Sequence, residues 1–166
     1  QIAKLFDCSL EYLINEEENM SFKAFEQGAN VVSLIKGDSF YAMTCAWAMH
    51  IDYEEVLMLL GSQSDTSKNI EVGDKIGISP LSKGQKDIAL VIGETHSLEK
   101  NKLNLAPFID FEGVKVVKNA KNYILGEVVD ILYPSKDCDD KLLRIKIVKY
   151  HVNDDKSFLS YEEIDE

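Results

Sequence analysis

Arginine is almost missing from this sequence: Arg144 is the single one among 166 residues. Without guanidinium clusters a chain cannot grip phosphates with paired planar forks. Any phosphate it binds must rest on lysines, hydroxyls and backbone N–H groups. Positive charge is scarce altogether. Lys and Arg number 18 against 29 Asp and Glu, a formal net charge of −11. That balance argues against a nucleic-acid partner, whose phosphates need a basic face to displace their counterions. It equally opposes binding to anionic membranes. Cysteine is sparse too. Cys8, Cys45 and Cys138 are odd in number and far apart, which gives neither a disulfide framework nor a zinc site. A cytoplasmic, reducing environment is the expectation. His50, His96 and His151 are isolated, and no pair has the spacing of zinc ligands. No Ser or Cys stands in a nucleophile elbow. A glycine-rich phosphate loop of the Walker or dinucleotide kind is also missing. No apolar run reaches the roughly 18 residues that span a bilayer. No signal peptide is visible, although the chain starts at Gln1 rather than Met.

What remains is an ordinary globular mix: 45% hydrophobic and 28% charged, in a length that suits one domain with a full core. The opening is helical in character, with Leu10, Leu13 and Ile14 at helical spacing and Ser9 as a cap. Phe22 and Phe25 begin a second short amphipathic piece that Gly28 closes. The pattern then turns to strands. "NVVSLI" and "SFYAMTCAWAM" flank "KGD", a short-hairpin signal. "EVLMLLG" is a third strand and "KIGISPL" a fourth, ended by Pro80. Between them "SDTSKNIEVGD" predicts one or two helical turns, capped by Ser64 or Asp65 and stopped at Gly73. "QKDIALVIGE" predicts a helix with Ile88, Leu90, Val91 and Ile92 inward, and "HSLEKNKLNLAPF" a loop or helix remnant. "GVKVV" is a short strand, and "NYILGEVVDILY" is apolar on both faces, as a central strand would be. "KLLRIKIVKYHV" alternates until Val148, where its phase slips as at a bulge. A last short segment runs around Phe158 to Tyr161 before an acidic end. Six or seven strands with two or three peripheral helices, and no regular βαβ alternation, predict a mainly β antiparallel barrel.

Two stretches invite chemistry. In "YAMTCAWAMH", Met43, Cys45 and Trp47 would face one way and Ala42, Thr44, Ala46 and Ala48 the other, if the strand is regular. The small set lets something flat approach the backbone; a core strand is the plain alternative. In "GSQSDTSKN", Ser62, Ser64, Thr66, Ser67 and Lys68 crowd the start of a helix, where free N–H groups and hydroxyls suit an anion. The plain alternative is a simple helix cap. Asp65 opposes an anion unless it points away.

Together these stretches resemble the flavin reductase-like family, the FMN-binding split barrels. The resemblance rests on "MTCAW", "IDYEEVLMLL" and "SQSDTSKNI", continues through "IGISPLSKGQKDIALVIGETHS" and "YILGEVVDI", and covers roughly residues 22–161. It divides the chain into an N-terminal extension (1–21), the barrel (22–161) and an acidic tail (162–166). It implies a Greek-key split β-barrel with peripheral helices, a homodimer, and FMN near the subunit interface. By position, Thr44, Cys45, Ala46 and Trp47 would line the flavin ring, mostly through backbone. Ser62, Gln63, Ser64 and Thr66 would hold the phosphate, with Lys68 nearby. Ser79, Lys102 and Tyr161 match further positions near the flavin, Tyr161 reaching it from the partner subunit. The sequence departs from the family where a proline pair gives way to Tyr53 and Glu54, where an arginine becomes Ser64, and where a histidine becomes Asp140. The function implied is an oxidoreductase in which NAD(P)H reduces FMN. Alternatives are a non-enzymatic FMN electron carrier that meets small redox proteins, and a split-barrel binding module without flavin. A pyridoxamine-phosphate oxidase on the same barrel would want more cationic phosphate ligands than this chain has.

Overall fold

A computed structural model of the chain describes residues 28–160 and 162–165. The expected N-terminal helix and the piece at Phe22 and Phe25 lie outside the described residues, as does Tyr161. The elements run β1 (Asn30–Lys36), β2 (Ser39–Cys45), β3 (Ala48–His50), β4 (Glu55–Leu60), α1 (Asp65–Asn69), β5 (Lys75–Pro80) and α2 (Lys86–Glu94). A 3-10 turn (Lys102–Asn104), β6 (Phe108–Phe111), β7 (Val114–Val117), β8 (Asn122–Leu132), β9 (Lys141–Val152) and α3 (Glu162–Asp165) follow.

Seven strands form one antiparallel sheet in the order β2-β1-β5-β8-β9-β4-β3, and β6 pairs with β7 alone. The fold is mainly β with peripheral helices, a curled half-barrel of the split-barrel kind. The β1–β2 hairpin forms as the "KGD" turn predicts, with Gly37 at φ +59°. β8 lies at the centre of the order, which explains why its sequence is apolar on both faces.

The expected single strand through "SFYAMTCAWAM" is not one strand. β2 ends at Cys45 and pairs with β1 at one edge of the sheet; β3 begins at Ala48 and pairs with β4 at the other edge. Ala46 and Trp47 carry the chain from edge to edge and curl the sheet toward closure. Two bonds pin this crossover to β4. The Leu59 N–H donates to the Trp47 carbonyl at 2.9 Å, and the Cys45 thiol donates to the Leu59 carbonyl at 3.3 Å. Apolar residues continue through the break, so hydrophobic pattern alone does not reveal it.

The barrel interior follows period-two alternation. Val32 and Leu34, Tyr41, Met43 and Cys45, Val56, Met58 and Leu60, Ile76 and Ile78, Val128, and Leu143 and Ile145 pack into one core. Outside the sheet, α2 and neighbouring loops cover Val31, Ala42 and Leu81 with Ala89 and Ile92. Leu90, expected inward, is exposed, because Ala89 and Ile92 already occupy the inward stripe. The β6–β7 hairpin covers Leu125 with Val114 and Val116. Its turn uses Glu112 at φ +50° and Gly113 at φ +88°, the successive left-handed residues of a tight hairpin.

The phase slip at Val148 is a bulge. Leu125 pairs with Lys149 and Gly126 with Ile147, so Val148 is the extra residue. After it, Tyr150 faces Ile124 and Val152 faces Asn122 across the ladder. Residues directly opposite share a face, so the bulge returns Tyr150 and Val152 to the interior side of the barrel at its open end.

Candidate functional site

The crossover and the turn after β4 face one another. Met43, Thr44, Cys45, Ala46, Trp47, Leu59, Gly61 and Asp140 line a recess of about 60 Å³. The structure thus brings Thr44, Cys45, Ala46 and Trp47 together with the turn that carries Ser62 to Thr66. Within this wall the side chains differ. The Thr44 hydroxyl donates to the Ala89 carbonyl of α2 at 2.6 Å. Cys45 is buried in the barrel core, and burial pushes its thiol up to about 12. A thiol so held stays protonated and packs; it is no nucleophile. Ala46 and Trp47 complete this wall of the recess.

The hydroxyl-rich turn is partly spent on itself. Ser64 is the N-cap of α1, its hydroxyl accepting the Ser67 N–H at 3.0 Å and lying 3.1 Å from Met43 Sδ. The Ser67 hydroxyl donates to the Leu60 carbonyl. Asp65 does point away from the recess: it is 5% exposed, and its carboxylate accepts the Leu98 N–H at 3.1 Å. Thr66 is fully enclosed, and its hydroxyl is one of two buried side-chain polar atoms without a partner among the described residues. Gln63 and Lys68 are exposed on the same turn. Ser62 donates its N–H to Asp140 Oδ1 at 2.7 Å, so a carboxylate already occupies one of the turn's donors.

Ser79 and Lys102 do not line this recess. Ser79 is buried on the outer face of β5, where its hydroxyl accepts the Val117 N–H at 2.9 Å and anchors β7. Its neighbours Ile78 and Pro80 point to the opposite face. Lys102 is 3% exposed, and its amine donates to the carbonyls of Ala42 and Ile92 at 2.6 and 2.7 Å. Burial lowers it to about 8, against an opposing pull from Asp65. It ties the edge strand β2 to the end of α2. Lys102 therefore supports the wall from behind, while Ser79 holds β7 to β5.

A wider groove of about 380 Å³ opens at the mouth of the barrel. Ala46 lines both it and the recess; Asn30, Ala48, Met58, Ile78 and Asn122 line the groove. The sequence reading did not find this groove. Its signal is present: Asn30, Pro80 and Asn122 end the inward series of β1, β5 and β8, and a polar or imino residue there marks a rim rather than a core.

A split antiparallel barrel whose small-residue crossover faces a hydroxyl-rich strand-to-helix turn has the architecture of the flavin-binding split barrels. The chain belongs to a family of this class: residues 22–163 match the flavin reductase like domain. That membership supports a flavin-related oxidoreductase with a flavin cofactor. Among curated proteins, no sequence matches this chain significantly. Solved structures share its fold at low identity. The NADH:FAD oxidoreductase SgcE6 of Streptomyces globisporus superposes with a TM-score of 0.77 at 13% identity, over 90% of this chain and 92% of that one. The flavin reductase PheA2 gives 0.68 at 19%, over 84% and 89%. A flavoredoxin from Methanosarcina acetivorans gives 0.67 at 12%, over 78% and 70%. Among the described residues, no helix is long and apolar enough to cross a membrane.

Proposed function

We propose that this protein is an FMN-binding oxidoreductase that works as a homodimer with NAD(P)H as electron donor. The observation that carries the reading is the orphaned, fully enclosed Thr66 hydroxyl on the turn that faces the Thr44–Trp47 wall. A buried hydroxyl without a partner costs about 1–3 kcal/mol, and a phosphate oxygen would satisfy it. The residues fit a flavin in other respects. Ala46 offers a small apolar surface for the ring, while Gln63 and Lys68 supply exposed, uncommitted donors for its phosphate. When bound, the flavin supplies the redox chemistry, taking hydride from a nicotinamide and passing electrons to a second acceptor. The protein's share is to bind, orient and exclude water. Backbone N–H groups of the crossover and the Gly61 turn would meet charge that gathers on the ring. No acid or base side chain is needed.

A dimer completes the site. The recess is far smaller than a flavin ring, so one chain supplies only one side of it. Met49, Tyr150, Val152 and Phe158 are exposed apolar residues at the barrel mouth, a rim of the kind a second subunit covers. A second reading, a non-enzymatic FMN electron carrier for small redox proteins, is favoured by Asp140. Its carboxylate on the recess repels a dinucleotide phosphate, and the net charge of −11 suits a basic protein partner.

The test starts with the visible spectrum of the purified protein, before and after incubation with FMN or FAD and desalting. Retention of FMN, with steady oxidation of NADH or NADPH, supports the enzyme. A bound flavin that a nicotinamide does not reduce, but a chemical reductant does, supports the carrier. Retention of FAD alone overturns the choice of FMN, and a colourless protein overturns the flavin reading.

A further inference from the structure

We infer that Asp140 is a positioning residue of the ring end of the flavin site, which fixes the Gly61–Ser64 turn and sets a negative charge against the ring. This rests on the flavin reading above. Asp140 precedes β9, at the end of the loop that leaves β8. Its Oδ1 accepts the Ser62 N–H at 2.7 Å across 78 residues of sequence. The same residue lines the recess with Ala46 and Trp47, the residues proposed above as the ring wall. No ion pair joins it to a cation among the described residues. The nearest lysine in sequence, Lys141, donates instead to the carbonyls of Ser67 and Ile70, at 2.6 and 3.1 Å.

The consequence is electrostatic. A ring laid over the recess removes water from a carboxylate that no cation of the described residues pairs with, and the charge is then felt more strongly. It opposes electron density added to the ring, so the bound flavin is harder to reduce than it would be beside a neutral group. Meanwhile the carboxylate holds the turn in place through Ser62. The geometry therefore trades affinity and ease of reduction for a fixed turn and a strongly reducing flavin.

Asp140→Asn separates the two roles, because the amide oxygen still accepts from Ser62 while the charge is gone. Flavin fluorescence titration and a reduction midpoint, measured on wild type and variant, are the readouts. The expected result has two parts. FMN and riboflavin both bind about tenfold more tightly to the variant. The preference for reduced over oxidised flavin also rises about tenfold, which is about 30 mV for a two-electron couple. Asp140→Ala, which loses the turn bond as well, should raise the midpoint without the gain in affinity. An unchanged midpoint and unchanged riboflavin affinity in Asp140→Asn overturn the inference and leave Asp140 as a turn bond. Tighter FMN with unchanged riboflavin places the charge at the phosphate end and overturns it too. If neither protein retains FMN or FAD, the flavin reading itself fails and the inference falls with it.

Discussion

Single side chains decide whether this site binds or merely packs. Thr66 makes the sharpest case. Its buried hydroxyl has no partner among the described residues, so Thr66→Val should stabilise the unloaded fold by about 1 kcal/mol while weakening FMN binding by about 1–3 kcal/mol. Chemical denaturation and fluorescence titration read the two effects, and opposite signs are the expected outcome. A purely structural hydroxyl would leave affinity unchanged. Lys102 makes another test. Its folded-state value near 8 lies below the ordinary 10.5, because burial penalises the charged amine. Between those values the unfolded chain binds more protons than the folded one, so stability from this group rises with pH across the window. Below it, the fold carries the whole cost of the buried charge. Urea unfolding at steps between pH 8 and 10.5 should show the rise in wild type and a flatter profile in Lys102→Met. Neither residue's environment was legible in the sequence. A lysine in "KNKLNL" reads as solvated, and only its three-dimensional place between the carbonyls of Ala42 and Ile92 shows otherwise.

At the scale of elements, backbone proximity matters more than propensity. Gly77 on β5 lies under β7, and a Cβ there would overlap the Lys115 carbonyl oxygen and stand 2.6 Å from Ser33 Oγ. Backbone cannot move aside as a side chain can. Gly77→Ala should therefore lower stability by about 3 kcal/mol, read as a lowered melting temperature, with β7 the first element displaced. Much of this level was readable beforehand. The β1–β2 hairpin, central β8, the α1 cap at Ser64 and the bulge at Val148 all follow from alternation, turn residues and capping chemistry. What escaped has physical reasons. Ala46 and Trp47 break a strand without a polar residue to mark it, since both sides of the break stay in the barrel. β6 is four residues long with Asp110 among them, too short to show a period. Leu90 looks inward by composition and is turned out by the positions of Ala89 and Ile92.

Over the whole molecule, charge and apolar surface are unevenly shared. The chain is acidic, yet the barrel mouth carries Met49, Tyr150 and Phe158 in the open, Tyr150 at 66% exposure. Tyr150→Asp should convert a dimer to monomers in sedimentation or light-scattering measurements, and flavin retention should fall with it. A monomeric wild type would refute the proposed assembly. β2 and β3 are the two margins of the seven-stranded sheet, yet only Ala46 and Trp47 separate them in sequence. In most open sheets the two outer strands fray independently. Here they are links of one short tether, so loosening one margin slackens the other, and the sheet opens as a single clasp whose pin is also the wall of the proposed binding site.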